Sequence, residues 1–256
     1  MPPDPFNGLD PDQTVKVLPR RLAGPGALDL HMVWPFPFDD GWHLHPADAG
    51  MVFASSPCAR LWTRFAPEPE KRGKGTWTIG ASRVPFGELT WQIVFDATTP
   101  AELLHDVHAE LLDLYSDQDR LFDGATEPYE GYALLLDRGW SHNVKTNDTQ
   151  SLLAPDLLGG VHQYANKATG RPEWRVWGGD IWEPDWSAEI SASTPTALVA
   201  VFTASLVSTE PVQRAVKDLP VHVRQHLYMA TPTAKQPPGY SPAASPATRP
   251  GKGRAR

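Results

Sequence analysis

The residues whose type and spacing are best suited to chemistry are Arg60, Trp62 and Arg64. In an extended segment alternate side chains share a face, so these three project together, opposite Leu61, Thr63 and Phe65. A cation–aromatic–cation comb suits single-stranded nucleic acid, whose bases stack on aromatic rings while cations follow the phosphates. Residues 60–83 hold six cations (Arg60, Arg64, Lys71, Arg72, Lys74, Arg83) against two acids (Glu68, Glu70), a local charge of +4. A weaker echo lies further on, with His162 and Tyr164 on one strand face and Arg175 and Trp177 on another. The nucleic-acid-binding set this predicts is Arg60, Trp62, Arg64, Arg72, Lys74, Tyr164, Arg175 and Trp177. The competing reading is packing. Trp62 and Trp177 would then be buried beneath residues 207–230 or at an interface between repeats, with the arginines stacked or ion-paired beside them.

Other chemistries are less well served. His43 and His45 can share a strand face as metal ligands, but no third ligand follows at useful spacing. His105 and His108 lie one helical turn apart beside Asp106 and Glu110, off the leucine stripe, and read as a solvated polar face. No Gly-x-Ser-x-Gly elbow exists, and Gly178-Gly179-Asp180 lacks the spacing and following helix of a phosphate loop. Glu183 and Asp185 near Trp182 and Trp186 suggest a sugar cleft, yet a turn accounts for them. The expectation is a binding protein with no catalytic residue, metal or cofactor.

Charge and composition limit the partners. The chain carries −7 in total; residues 231–256 hold five cations and no acid, which leaves −12 on residues 1–230. So acidic a body does not bind nucleic acid through bulk charge. The single Cys58 excludes an internal disulfide and suits a reducing cytoplasm. The start, Met-Pro-Pro-Asp-Pro-Phe, is not a signal peptide, and no apolar run of about 18 residues exists to span a membrane. The expected location is cytoplasmic. The expected partner is single-stranded DNA or RNA; the alternative is a protein-interaction or assembly module, acting as a homodimer or on another protein.

The elements that must position these residues come twice. Residues 91–104 and 186–199 each run from a Trp-led strand through Thr-Pro into a helix, with Thr99 or Thr194 as N-cap and Pro100 or Pro195 at the first helical position. Glu102 adds a capping-box carboxylate. Landmarks recur at nearly constant offset: 98 for Gly41-Trp42 and Gly139-Trp140, 98 for Pro57 and Pro155, 97 for Trp77 and Trp174, and 95 for both Trp91/Trp186 and Pro100/Pro195. A period this long means a duplicated small domain rather than a solenoid. Strands are predicted over 14–18, 51–54, 59–65, 76–82 and 89–96, then a helix whose Leu103, Leu104, Val107, Leu111 and Leu114 form one stripe. In the second copy, residues 129–138 are expected to be helical and 160–167 and 174–178 extended. The fold class is α+β, two tandem ββββα units packed helix to helix or sheet to sheet. The division is a flexible 1–13, repeats over 14–120 and 121–230, and a disordered tail over 231–256. Residues 211–218 and 221–229 are expected to be helical covers.

Taken together, the paired ββββα units, leading Gly-Trp, Ser-Pro-centred turn, central Trp strand and Trp-strand-to-Thr-Pro helix resemble the SPDY-motif domain of unknown function, common in actinobacterial proteins and often present in two copies. The resemblance covers about residues 14–210. The name-giving tetrapeptide is altered to Ser56-Pro57-Cys58-Ala59 in one copy and Ala154-Pro155-Asp156-Leu157 in the other. The family implies no established activity. At fold level only, duplicated ββββα units are also similar to PUR-type and Whirly-type single-strand binders.

Overall fold

Trp77, Ile79 and Ala81 alternate with Thr76, Thr78 and Gly80, and in the computed structural model the first set is fully buried against helices. The structure describes residues 4–26, 29–68, 75–122, 128–147, 149–165 and 172–230. The expected tail over 231–256 and the loop cations Lys71, Arg72 and Lys74 lie outside the described residues.

The elements follow in order. Strand β1 (Thr14–Leu18) and a short helix α1 (Leu30–Val33) precede the first repeat. That repeat is β2 (His43–Pro46), β3 (Val52–Ser55), β4 (Leu61–Pro67), β5 (Gly75–Ser82), β6 (Leu89–Asp96) and α2 (Ala101–Tyr115). After α3 (Gln118–Phe122) and α4 (Ala133–Asp137), the second repeat is β7 (Ser141–Val144), β8 (Gln150–Leu153), β9 (Gly159–Ala165), β10 (Pro172–Gly179), β11 (Pro184–Ile190) and α5 (Thr196–Leu206). Strands β12 (Val212–Ala215) and β13 (Tyr228–Met229) close the described chain. No helix among the described residues is long and apolar enough to cross a membrane.

Each repeat therefore has five strands before its helix, one more than expected, because the short exposed segments after Gly41-Trp42 and Gly139-Trp140 pair as edge strands. The ten strands form one antiparallel sheet, ordered β2-β3-β4-β5-β6-β11-β10-β9-β8-β7. The two sheets join side by side through β6 and β11, and α2 packs on α5, so both expected modes of repeat packing occur together. The junction register pairs Ile93 with Ile190, Val94 with Glu189 and Phe95 with Ala188. At the repeat offset of 95, Val94 and Glu189 are equivalent positions. They face each other and mark a pseudo-twofold axis. The symmetry extends to polar contacts at the junction: Asp96 Oδ2 accepts from the Ser187 N–H and hydroxyl, and at the equivalent positions Ser191 Oγ accepts from the Gln92 N–H.

Inward-facing residues from both halves, including Trp77, Trp91, Ile93, Trp174, Trp186 and Ile190, meet Leu103, Val107, Leu111, Leu198 and Phe202 in one core. Burying such apolar area supplies most of the stabilisation. The opposite face of the sheet carries the alternate set of side chains.

Several local expectations are corrected. Strand β1 does not open the first repeat; it pairs with β12 and β13 in a separate three-stranded sheet with its own small core. Residues 212–215 are thus strand, not helix, because the period-2 burial of Val212 and Arg214 matches the edge offered by β1. Residues 221–226 form a 3-10 turn that leads to β13, and residues 129–138 split into a 3-10 turn and the short α4. Pro100 and Pro195, rather than the preceding threonines, occupy the N-cap positions. The Ala101 N–H, orphaned at the helix start, donates to the Pro25 carbonyl. Glu102 forms no capping box; both its oxygens accept from Arg214, at 2.7 and 2.6 Å. Arg214, with Arg20 on Asp106 and Glu210 and Arg21 on Asp156, ties the small sheet to α2 and to the second repeat.

Candidate functional site

The antiparallel register aligns one transverse row on the face away from the helices: His45, Phe53, Arg64, Thr78, Val94, Glu189, Arg175, His162, Ser151 and Asn143, from β2 to β7. Each residue of the first half faces its repeat equivalent across the pseudo-twofold axis. The row is not a cationic track. Arg175 sits between His162 and Glu189, with Glu173 nearby on the same strand face. Among the described residues, Asp96, Glu173 and Glu189 project from this face, against Arg64, Arg175 and, two residues beyond Asn143 and near His162, Lys145.

A neighbouring row explains why the two halves differ. Trp62 on β4 pairs with Gly80 on β5, whereas Gly160 on β9 pairs with Trp177 on β10. At the repeat offsets of 98 and 97, Trp62 corresponds to Gly160 and Gly80 to Trp177. The pair is kept but its members are exchanged. In each case the indole lies flat over the glycine: a Cβ on Gly80 would meet the Trp62 ring at 2.5 Å, and one on Gly160 would meet the Trp177 ring at 2.2 Å. Glycine is required by that close approach. The exchange moves the indole by one strand. In the second half the Trp177 ring occupies the position equivalent to Trp62 and packs edge-on to His162, with centroids 4.8 Å apart, leaving Trp177 only 3% exposed.

In the first half the Trp62 ring leans toward β6, and a groove of about 720 Å³ opens beside it. It is lined by His45, Phe53, Ser55, Ala59, Trp62, Arg64, Ser82, Phe86, Gly87 and Leu89. The Arg64 guanidinium lies 5.8 Å from the Trp62 ring centroid, and its Nε is buried without a hydrogen-bond acceptor. Ser82 is already committed, its hydroxyl donating to the Gly87 carbonyl at 3.0 Å. The β5–β6 turn supplies Phe86, which is 93% exposed and held at a φ of +57°.

The predicted site residues are thus divided. Trp62 and Arg64 meet in the groove. Arg60 does not join them: it precedes β4, and its guanidinium lies over the Phe122 ring at 5.4 Å, away from the open face. Trp177 is buried, not an exposed platform, because it packs on Gly160. Tyr164 and Arg175 are exposed on the second half, across the axis from the groove, beside Glu173 and Glu189. Arg72 and Lys74 lie outside the described residues. Phe53, Phe86 and Leu89 carry no site expectation in the sequence, and His45, weighed there only as a metal ligand, lines the groove instead. The phenylalanine in the Val84-Pro85-Phe86-Gly87 turn gives little signal by itself, because a single exposed apolar residue is ordinary and only a contiguous patch marks a site.

The histidines resolve separately. His43 and His45 lie with ring centroids 5.9 Å apart, and among the described residues no three His, Cys, Asp or Glu side chains gather to hold a metal. His108 is not on a solvated face; it is fully buried. Its Nδ1–H donates to the Leu104 carbonyl at 2.8 Å, which leaves Nε2 to accept from the Thr63 hydroxyl at 3.0 Å. Burial disfavours its cation and lowers its pKa to about 3. Asp185, considered above for a sugar cleft, pairs with His222 at 2.8 Å.

The altered tetrapeptides form equivalent turns. Ala59 and Leu157, 98 residues apart, both adopt left-handed backbone at φ +53° and +62°. In the second turn Asp156 accepts from the Leu158 N–H at 3.0 Å. In the first, Cys58 takes the aspartate's place, its Sγ 3.5 Å from the Ser56 hydroxyl. Burial alone would raise the thiol pKa, but the hydrogen bonds from Ser56, Arg60 and Tyr115 outweigh it and bring it down to about 7.

No curated protein and no solved structure matches the chain. Residues 55–116 and 154–212 each match SPDY, a domain of unknown function (DUF317), in keeping with two tandem copies built on these two turns.

Proposed function

We propose that the protein is a non-catalytic interaction module that holds a protein ligand in the groove beside Trp62. The observation that carries this reading is the groove itself: an apolar, aromatic-lined hollow continuous with the almost fully exposed Phe86. Aromatic and arginine side chains at a concave apolar site are the groups that dominate protein–protein binding energy. The polar groups around it favour recognition over reaction, since Ser82 is bonded within its own turn and Arg64 rests on Trp62. The test is selection from a displayed random-peptide library. Peptides whose binding is lost in Trp62→Ala and Phe86→Ser support the reading; enrichment of none that depend on these residues overturns it.

A second reading is single-stranded DNA or RNA on the same groove, favoured by Arg64 stacked on Trp62. It is confined to a few nucleotides, because a strand crossing the axis toward Tyr164 and Arg175 meets Glu189 and Glu173. An electrophoretic shift at low salt with single- and double-stranded probes tests it. A single-strand shift lost in Arg64→Ala supports it; no shift with either probe removes it.

A further inference from the structure

The groove has a counterpart on the same chain. The β10–β11 turn is the repeat equivalent of the turn bearing Phe86, and it carries Trp182 at the position 96 residues on, 91% exposed. Ile181 beside it is exposed as well, and so are the acids Asp180 and Glu183. The turn is preformed, because Asp180 Oδ1 accepts from the Trp182 N–H at 2.8 Å. One end of the molecule therefore presents an apolar groove lined in part by an arginine. The other presents an indole flanked by carboxylates.

We infer that this indole-bearing turn of a second copy of the chain is the occupant of the groove, which makes the protein a head-to-tail self-assembling module. The inference rests on the groove being the binding site, and names its partner. Three observations support it. The chemistry is complementary: Trp182 and Ile181 match Phe53, Trp62, Phe86 and Leu89, and the exposed acids Asp180 and Glu183 carry the charge opposite to Arg64, which lines the groove. The size is suitable, since about 720 Å³ admits an indole with a neighbouring aliphatic side chain. The topology makes the contact intermolecular. Because β6 and β11 are antiparallel neighbours, the turns that precede them lie at opposite ends of the sheet, so a chain cannot place its own Trp182 in its own groove. Each chain then has one groove and one indole turn, and the contact is heterologous: two chains leave a groove and a turn unused, and further chains can add.

Sedimentation velocity on the full chain, from about 10 to 500 μM, tests this in the range expected of a small, transient interface. The wild type should associate progressively with concentration. Trp182→Ser, which retains the groove, and Arg64→Glu, which retains the turn, should each remain monomeric. An equimolar mixture of the two should form a 1:1 dimer that extends no further. Phe86→Ser, at an exposed position, serves as the groove variant if Arg64→Glu does not fold. A monomeric wild type, association undiminished in Trp182→Ser, or a mixture that stays monomeric overturns the inference. If the inference fails while displayed peptides still bind the groove, the interaction-module reading stands with a different partner. Loss of both removes that reading too.

Discussion

His108 should make the fold acid-sensitive by an amount that can be stated. Its ring is buried as the neutral tautomer, with Nδ1–H on Leu104 and Nε2 accepting from Thr63. Its pKa falls from an ordinary 6.5 to about 3. The unfolded chain takes up the proton first as pH drops, so stability is fully present above 6.5 and is lost progressively down to about 3. Each pH unit in that window costs about 1.4 kcal/mol, so moving from neutral pH to about pH 5 costs about 2 kcal/mol through this one residue. Urea unfolding of the wild type and of His108→Gln at about pH 7.5 and pH 5 isolates the term, because other titrating groups cancel in the double difference. Glutamine can still meet Thr63 and does not titrate. The variant should be less stable at neutral pH yet lose about 2 kcal/mol less on acidification. Equal losses in the two proteins would refute a buried neutral imidazole.

The exchanged Trp–Gly pairs predict unequal effects: Gly160→Ala should destabilise by about 1–3 kcal/mol, since buried Trp177 cannot give way. Gly80→Ala should cost less, because the half-exposed Trp62 ring can swing outward, and should weaken groove-dependent peptide binding; equal denaturation midpoints for the two variants would contradict this. Removing one partner of the buried Arg214–Glu102 pair by Glu102→Ala should cost about 3 kcal/mol, roughly 6–12 °C in Tm by calorimetry. Alkylation of Cys58 should rise with pH and level off just above about 7, with the midpoint moving upward in Arg60→Ala; a rate still climbing steeply above pH 8 would show an ordinary thiol.

Much of the scaffold is legible in the sequence, for a clear reason. Trp91, Ile93 and Phe95 alternate, the leucines of α2 recur at helical spacing, and both patterns return about 95 residues on, so strands, helices and duplication follow from local periodicity. The alternation also places Trp62 and Arg64 on the open face. It fails at Arg60, which lies just before β4 and turns to Phe122. It fails too for the edge strands β2 and β7, whose exposed residues carry no burial pattern to read. Residues 212–215 take strand form only because β1 offers an edge far away in the chain.

The candidate site itself depends on partners that no local pattern reveals. Sequence by itself determines that a tryptophan stands at 62 and another at 177, and that their strands are related by duplication. Only the tertiary structure pairs them with Gly80 and Gly160, leaving one indole beside an open groove and burying the other. The reason is that cross-strand neighbours are set by register between segments many residues apart, and whether an aromatic ring is platform or filler depends on the side chain opposite it.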